Sequence, residues 1–220
     1  VHMERRRALM DAFTADHLEE HRLFVKALVK DNVDQFIHKG RTDLVQDLLW
    51  EVPLTVALHF LGVPEDDMQE LRQFAVAHTV NTWGRPTEQE QLAVAEGVGQ
   101  FWQYSGRVLE KMKNHPAGEG WMYDMIAKNR IMPDVVTDNY LHSMMMAIMV
   151  AAHETTALAS ANALKLILTQ RDIWQKLCAQ PQLIPGAVEE CLRHSGSVVA
   201  WRRQVKQDVS FNGIEFKQGD

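Results

Sequence analysis

A histidine, a glutamate and two threonines follow a strongly apolar stretch in Met144–Thr156, MMMAIMVAAHETT. The apolar residues Met144–Ala152 come without interruption, so we expect a helix that is buried on every side. A helix from about Val135 to Leu168 would be roughly 50 Å long at 1.5 Å per residue, enough to cross a domain. Polar groups inside such a helix are costly unless they are hydrogen-bonded or functional. His153–Thr156 is therefore the first candidate for chemistry.

Two patterns in the chain resemble metal-binding motifs. His153-Glu154 begins like the zinc protease pattern H-E-x-x-H, but residue 157 is alanine, so the second histidine ligand is missing and we exclude a zinc site. Asp66, Asp67 and Glu70 match the DDxxE pattern with which all-helical isoprenoid synthases hold magnesium. These residues also lie at a predicted helix start, where acidic residues suit the helix dipole. We favour the solvated helix start and keep a magnesium-dependent synthase as an alternative.

Composition limits the class of protein. The 220 residues fit one large domain or two small ones, and 46% hydrophobic with 24% charged residues can bury a sizeable core. A net charge of −6 argues against a nucleic-acid partner. Cys178 and Cys191 lie in helix-like segments, which argues against a disulfide scaffold and favours a reducing compartment. With an apolar run too short for a membrane span and no signal region, we expect a cytoplasmic protein without a membrane partner.

The hydrophobic pattern predicts a mainly α fold with a small β element near its C-terminal end. A Thr87–Glu90 capping box starts one long helix, a kink is expected at Pro53, and a turn at Asn212–Gly213 joins two short strands. The predicted helices cover residues 4–14, from 14 or 16 to 40, 43–61, 65–80, 87–114, 122–129, 135–168, from 171 onward, and 185–194. The predicted strands cover residues 198–204 and 208–216.

Glu190 and Arg193 form a second polar feature. Their i, i+3 spacing places them on one helical face, where they can pair. Their apolar neighbours, among them Val188, Cys191 and Leu192, predict that the pair is partly buried. A buried pair needs further hydrogen bonds to be tolerated.

Taken in order, these motifs resemble a bacterial cytochrome P-450. Ala151–Thr156 in a long central helix resembles the family's oxygen-binding helix, and Glu190-x-x-Arg193 resembles its ExxR helix, with Arg203 and Asp208–Gly213 following. His2-x-x-x-Arg6 is similar to the haem-contacting helix, and Asp43–Pro64 to the fifth helix and its turn. Each motif alone is weak, but the ordered set covers most of the chain. The resemblance implies that residues 1–220 form the central part of a single haem-binding monooxygenase domain, from the haem-contacting helix through the ExxR helix and the following strands.

The resemblance also implies roles for residues. The cofactor would be haem b, with Ala151, Ala152 and Thr155 beside the oxygen groove and with His2, Arg6 and Arg203 on the haem propionates. Thr155 would hydrogen-bond oxygen and deliver protons, and Glu154 would relay them. Glu190 and Arg193 would be a structural pair on the proximal side. The pattern usually has glycine where this chain has Ala152, and the added methyl group narrows the groove without closing it.

The family's axial cysteine belongs to a glycine-rich loop that we expect beyond Asp220. Cys178 and Cys191 lie in no such loop, so we expect residues 1–220 to supply no metal ligand and to be inactive alone. The implied reaction is haem-dependent activation of O2 to hydroxylate or dealkylate a small apolar organic substrate, with NAD(P)H-derived electrons from a ferredoxin and reductase or from a fused reductase domain. The sequence as a whole resembles haem domains of self-sufficient reductase fusions. Within residues 1–220, Val80–Pro86 is predicted to contribute to the substrate pocket. A non-enzymatic helical interaction module is the remaining alternative to the enzyme.

Overall fold

A computed structural model describes residues 2–10, 13–71, 84–115, 117–201 and 203–220. The predicted end of the fourth helix near Val80 and the predicted pocket residues 80–83 lie outside these ranges. The helices of the described part are α1 (His2–Met10), α2 (Ala15–Phe36), α3 (Glu51–Leu61), α4 (Glu65–Leu71), α5 (Glu88–Asn114), α6 (Trp121–Ile131), α7 (Asp138–Leu168), α8 (Arg171–Ala179) and α9 (Ile184–His194). The strands are β1 (Val209–Phe211) and β2 (Ile214–Phe216). A mainly α fold with a small β element is therefore confirmed.

The long helix α7 is the centre of the fold. It packs against α3, α5, α6, α8 and α9. The Thr137 hydroxyl accepts a hydrogen bond from the Tyr140 amide at 3.2 Å and so caps its first turn. The helix ends at Leu168, as predicted, and starts three residues after the predicted Val135. By length and composition alone it could also cross a membrane, but the central helix of a globular domain passes the same test.

The main hydrophobic core lies around the first half of α7. Fully buried side chains from α3, α5, α6 and α7 meet there, among them Leu58, Leu61, Phe101, Met112, Met122, Met125, Leu141, Met145 and Met149. A smaller cluster joins the end of α2 to the segment before α3 through Phe36, Leu48, Leu49 and Val52. Three different helices thus hold α7 in place on one side.

The expectation that Met144–Ala152 is buried on every side is wrong. Met145, Met146 and Met149 are buried, but Ala147 and Ala151 are exposed. The buried methionines face the cluster formed with α3, α5 and α6, whereas Ala147 and Ala151 lie outside that cluster. Hydrophobic content alone could not reveal this difference, because both sides are apolar.

The segment before α3 contains a π-helical turn, Val45–Leu49. The Trp50 amide donates to the Val45 carbonyl, five residues back, at 2.9 Å. Pro53 lies in the first turn of α3, where its missing N–H is tolerated. The predicted kink at Pro53 is therefore replaced by an irregular turn that comes before it.

Helix α1 is tied to the loop before α7 and to α6. The Arg5 Nε donates to the Val135 carbonyl at 2.9 Å, and its guanidinium lies 4.7 Å from the centre of the Tyr140 ring. Lys128 Nζ donates to the Ala8 carbonyl near the end of α1 at 2.6 Å. Helix α1 is therefore held at its middle and near its C-terminal end.

Two glycines allow the loop after α3 to cross the loop before α6. Gly62 and Gly120 have φ values of +76° and +123°, in the region that favours glycine. A Cβ added to Gly120 would lie 2.6 Å from the Gly62 Cα, and one added to Gly62 would lie 2.1 Å from the Glu119 carbonyl oxygen. The backbones approach too closely for any side chain.

The C-terminal strands form a two-stranded antiparallel hairpin in which Val209 pairs with Phe216 and Phe211 with Ile214. Asn212 and Gly213 have φ values of +51° and +75°, the positive values of a tight hairpin turn, so the predicted turn is confirmed. The predicted strand over 198–204 is wrong: the described residues there, 198–201 and 203–204, adopt no strand. They form no backbone ladder with the hairpin, which is why they are not a strand.

Candidate active site

Thr155 and Ala151 lie one turn apart on the open side of α7. The Thr155 hydroxyl donates to the Ala151 carbonyl at 2.5 Å, which is the bond to the preceding turn that mid-helix threonines often make. The helix stays α-helical through these residues. The hydroxyl is half-buried and Ala151 is exposed, so the oxygen atom of Thr155 lies at the edge of an accessible surface.

That surface is a stripe of apolar side chains with a single hydroxyl group on it. Ala147, Ala151 and Leu158 are exposed and Ala152 is half-buried. The alanine side chains leave space above the helix that larger residues would fill. A flat apolar group such as a porphyrin ring fits this chemistry, because small side chains let it approach the helix and the Thr155 hydroxyl gives it one polar neighbour. Glu154 is half-buried beside the stripe.

His153 lies on the opposite side of α7. Its side chain is 1% exposed, its Nε2 donates to the Trp50 carbonyl at 2.8 Å, and its ring meets the Trp50 indole edge-on with centres 4.6 Å apart. Its Nδ1 is buried without a hydrogen-bond partner. The sequence pattern suggests His153 only as a zinc ligand and does not indicate this contact. Its helical spacing from the buried Met146, Met149 and Ala157 was the available signal.

The predicted propionate ligands lie on separate segments. His2 and Arg6 are both exposed and one turn apart on α1, whereas Arg5 is turned toward Val135. Arg203 is exposed in the extended segment before β1. The neighbouring arginine, Arg202, lies outside the described residues. A histidine and an arginine that share one face of α1 can both donate hydrogen bonds to a carboxylate-bearing cofactor.

Glu190 and Arg193 pair as predicted, but the pair is not buried. Arg193 Nε and Nη2 each donate to one carboxylate oxygen of Glu190 at 2.7 Å, and both side chains are more than half exposed. The guanidinium lowers the pKa of the Glu190 carboxyl by hydrogen bonding. Cys191 is the residue of α9 that is buried, so the pair projects away from the side on which α9 meets α7.

The described acidic residues at the start of α4 do not form a metal-binding site. Asp67 accepts from Lys111 Nζ at 2.8 Å and from the Tyr104 hydroxyl at 3.2 Å, while Asp66 and Glu70 are exposed. Within the described residues no group of three His, Cys, Asp or Glu side chains could hold a metal ion. Asp67 therefore anchors α4 to α5, and the geometry does not support the magnesium-dependent synthase.

A separate cleft of about 710 Å³ lies between α5 and the start of α7. His142 stacks on Trp102 there, with ring centres 3.6 Å apart, and its Nε2 lies 2.9 Å from the Ser105 hydroxyl. Burial lowers the pKa of His142, and the Lys113 charge lowers it further. The cleft does not include Glu154 or Thr155, so it is not part of the stripe.

The chain is similar in sequence to several curated proteins of one family. No family model matches the chain. Nocardicin C N-oxygenase of Nocardia uniformis is 30% identical over 222 residues, and the biotin-biosynthesis cytochrome P-450 of Bacillus subtilis is 28% identical over 220 residues. Each match covers 100% of this chain, and 54% and 55% of the respective relative. The chain thus spans about half the length of the curated relatives it matches.

Some solved structures are more similar in sequence to this chain than these curated relatives are. The CYP116B5 haem domain of Acinetobacter radioresistens is 78% identical with a TM-score of 0.92, over 100% of this chain and 53% of that one. An intact type IV self-sufficient cytochrome P-450 monooxygenase is 61% identical with a TM-score of 0.94, over 99% of this chain and 28% of that one. The relatives use haem b, and the apolar stripe and the hydrogen-bond donors His2 and Arg6 of α1 fit that group. The chain therefore belongs to the cytochrome P-450 family and corresponds to about half of a haem domain.

Proposed function

We propose that the whole protein is a haem-thiolate monooxygenase that uses O2 and electrons from NAD(P)H to hydroxylate or dealkylate a small apolar organic substrate. The observation that carries the proposal is the Thr155 hydroxyl at the edge of an open apolar stripe on α7, in a chain 78% identical to a haem domain. Residues 1–220 would form the central part of that single domain.

Haem, when bound, supplies the oxygen chemistry, and the protein supplies binding, orientation and protons. Because the side chains of Ala151 and Ala152 are short, a flat ring could lie close to the backbone of α7. The carboxylates of such a ring would pair with His2 and Arg6, whose shared face on α1 supports this role, and with Arg203.

Thr155 would deliver protons through its Oγ1. A hydroxyl donates one hydrogen bond and accepts others, so Oγ1 can turn its proton from the Ala151 carbonyl toward the groove and accept a replacement. Glu154, half-buried one residue away, would be the acid that supplies the replacement from solvent. Removing the hydroxyl would leave the groove intact but without its proton donor.

Electrons would come from a reductase, either fused or separate. The 61% identity to an intact self-sufficient monooxygenase supports a fused reductase domain. Cytoplasmic location remains a prediction from cysteine usage.

The test uses the full-length protein and the neighbouring threonine as control. A reduced, carbon monoxide-bound absorption spectrum characteristic of thiolate ligation is expected for the unmodified protein. Thr155→Ala should keep that spectrum and divert a several-fold larger share of electrons from product to hydrogen peroxide. Thr156→Ala, at an exposed position, should not.

Absence of haem after reconstitution would contradict the family function. If Thr155→Ala and Glu154→Gln changed stability alone, the non-enzymatic interaction module would be the better interpretation. Equal electron diversion in the two threonine variants would remove the specific role of Oγ1 and leave the haem function standing.

A further inference from the structure

We propose that His153 is a positioning residue that fixes the rotation of α7 about its own axis and thereby the direction in which Thr155 and Glu154 point. The proposal rests on the proposed function for the role of those two residues. It concerns the contact between His153 and Trp50, which lies on the side of the helix away from the stripe.

The contact is specific because a carbonyl oxygen can only accept a hydrogen bond. The Trp50 carbonyl lies 2.8 Å from His153 Nε2, so the proton must be on Nε2. Nδ1 then has no partner in the buried surroundings of the ring. One hydrogen bond and one edge-on contact with the Trp50 indole hold the imidazole.

The acceptor belongs to an irregular piece of backbone. Trp50 follows the π-helical turn Val45–Leu49 and precedes α3, with its amide bonded five residues back to Val45. A carbonyl oxygen has two lone pairs, so the Trp50 carbonyl can serve both α3 and His153. The bond thus connects two elements that are 103 residues apart in sequence.

Helical geometry explains how this contact acts on the other side. At roughly 100° per residue, His153 lies roughly 200° from Ala151 and roughly 200° from Thr155. Ala157 is the other buried residue in the second half of α7, and a methyl group does little to oppose a rotation. Further along the helix, Asn162 Nδ2 donates to the Ser195 carbonyl at 3.3 Å. Within residues 151–158 the His153 bond is a directional contact to another element, and catalytic groups need such fixed orientation.

Two substitutions separate the hydrogen bond from the volume of the ring. His153→Phe keeps an aromatic ring against Trp50 and removes the donor. His153→Gln can place an N–H near the position of Nε2 and restores the donor. The matched control is His142→Phe, because His142 lies on the same helix and also bonds through Nε2, to Ser105, but lies far from the stripe.

The experiment uses the full-length haem protein and two measurements. The first is the fraction of electrons lost as hydrogen peroxide. The second, which does not depend on turnover, is hydrogen–deuterium exchange of the peptide spanning residues 150–158. His153→Phe should increase both several-fold, His153→Gln should restore both, and His142→Phe should leave both at the level of the unmodified protein.

Unchanged peroxide loss and exchange in His153→Phe would overturn the positioning role, while a strong effect of Thr155→Ala would still support the proposed function. An effect of His142→Phe equal to that of His153→Phe would also overturn it, because the loss would then be general. If His153→Phe does not fold, His153→Gln decides: behaviour like the unmodified protein supports the role, and several-fold peroxide loss overturns it.

Discussion

The two halves of α7 have similar apolar composition and different surroundings. In residues 138–150, Leu141, Met145 and Met149 are fully buried against three other helices. In residues 151–168, His153 and Ala157 are the buried side chains. The first half is a structural anchor, and the second half presents small apolar residues and a hydroxyl. One continuous helix therefore transmits the rigidity of the core to the surface where we place the chemistry.

The largest effect is expected from a comparison of two leucines of the same helix. Leu141→Ala should lower the free energy of unfolding by about 2–5 kcal/mol, because it removes a fully buried side chain and leaves a cavity. Leu158→Ala, at a position 41% exposed, should cost less than about 1 kcal/mol. Denaturant unfolding of the 220-residue chain, to which these exposures refer, measures both. Equal losses would show that the second half is covered as completely as the first.

A smaller effect is expected at the two ends of the helix. The Thr137 hydroxyl caps the first turn, so Thr137→Ala should cost about 0.5–2 kcal/mol. The Thr169 hydroxyl donates to the Lys165 carbonyl at 2.8 Å on an exposed turn, and Thr169→Ala should change stability by less than about 0.5 kcal/mol. Thermal unfolding of both variants provides the comparison. A larger loss at Thr169 would reverse the contrast between the halves.

The smallest effect concerns pH and the first half of α7. Burial lowers the pKa of His142 below its ordinary value, so between the folded and unfolded pKa values the unfolded chain binds more protons. The contribution of neutral His142 to the free energy of unfolding is complete above the ordinary histidine pKa of about 6.5. It is lost as the pH falls toward the pKa of His142 in the folded protein. His142→Phe should flatten the fall in Tm between about pH 7.5 and about pH 5. An unchanged pH profile would contradict the direction of the shift.

Local features could be predicted from the sequence. The Thr87–Glu90 capping box forms as expected, with the Thr87 amide donating to the Glu90 carboxylate at 2.7 Å. The hairpin turn at Asn212–Gly213 and the end of α7 at Leu168 are also as predicted. Each depends on residues within a few positions of one another, so short-range chemistry is sufficient to specify them.

Features that depend on distant partners could not be predicted. The sequence shows that Glu190 and Arg193 share a face, but only the packing of α9 on α7 determines that this face is exposed. The sequence also shows that α7 is apolar, but it does not show which side of α7 the other helices bury. The partner of His153 is a backbone carbonyl 103 residues away, and no spacing rule connects the two.

The crossing of Gly62 and Gly120 has a consequence for how this sequence can change. A substitution at a crowded contact is often compensated when its neighbour becomes smaller, but here each partner is already the smallest residue. A change at either position can be accommodated only if two loop backbones move apart. We expect the two positions to behave as one mutational unit, in which double substitution does no better than single substitution.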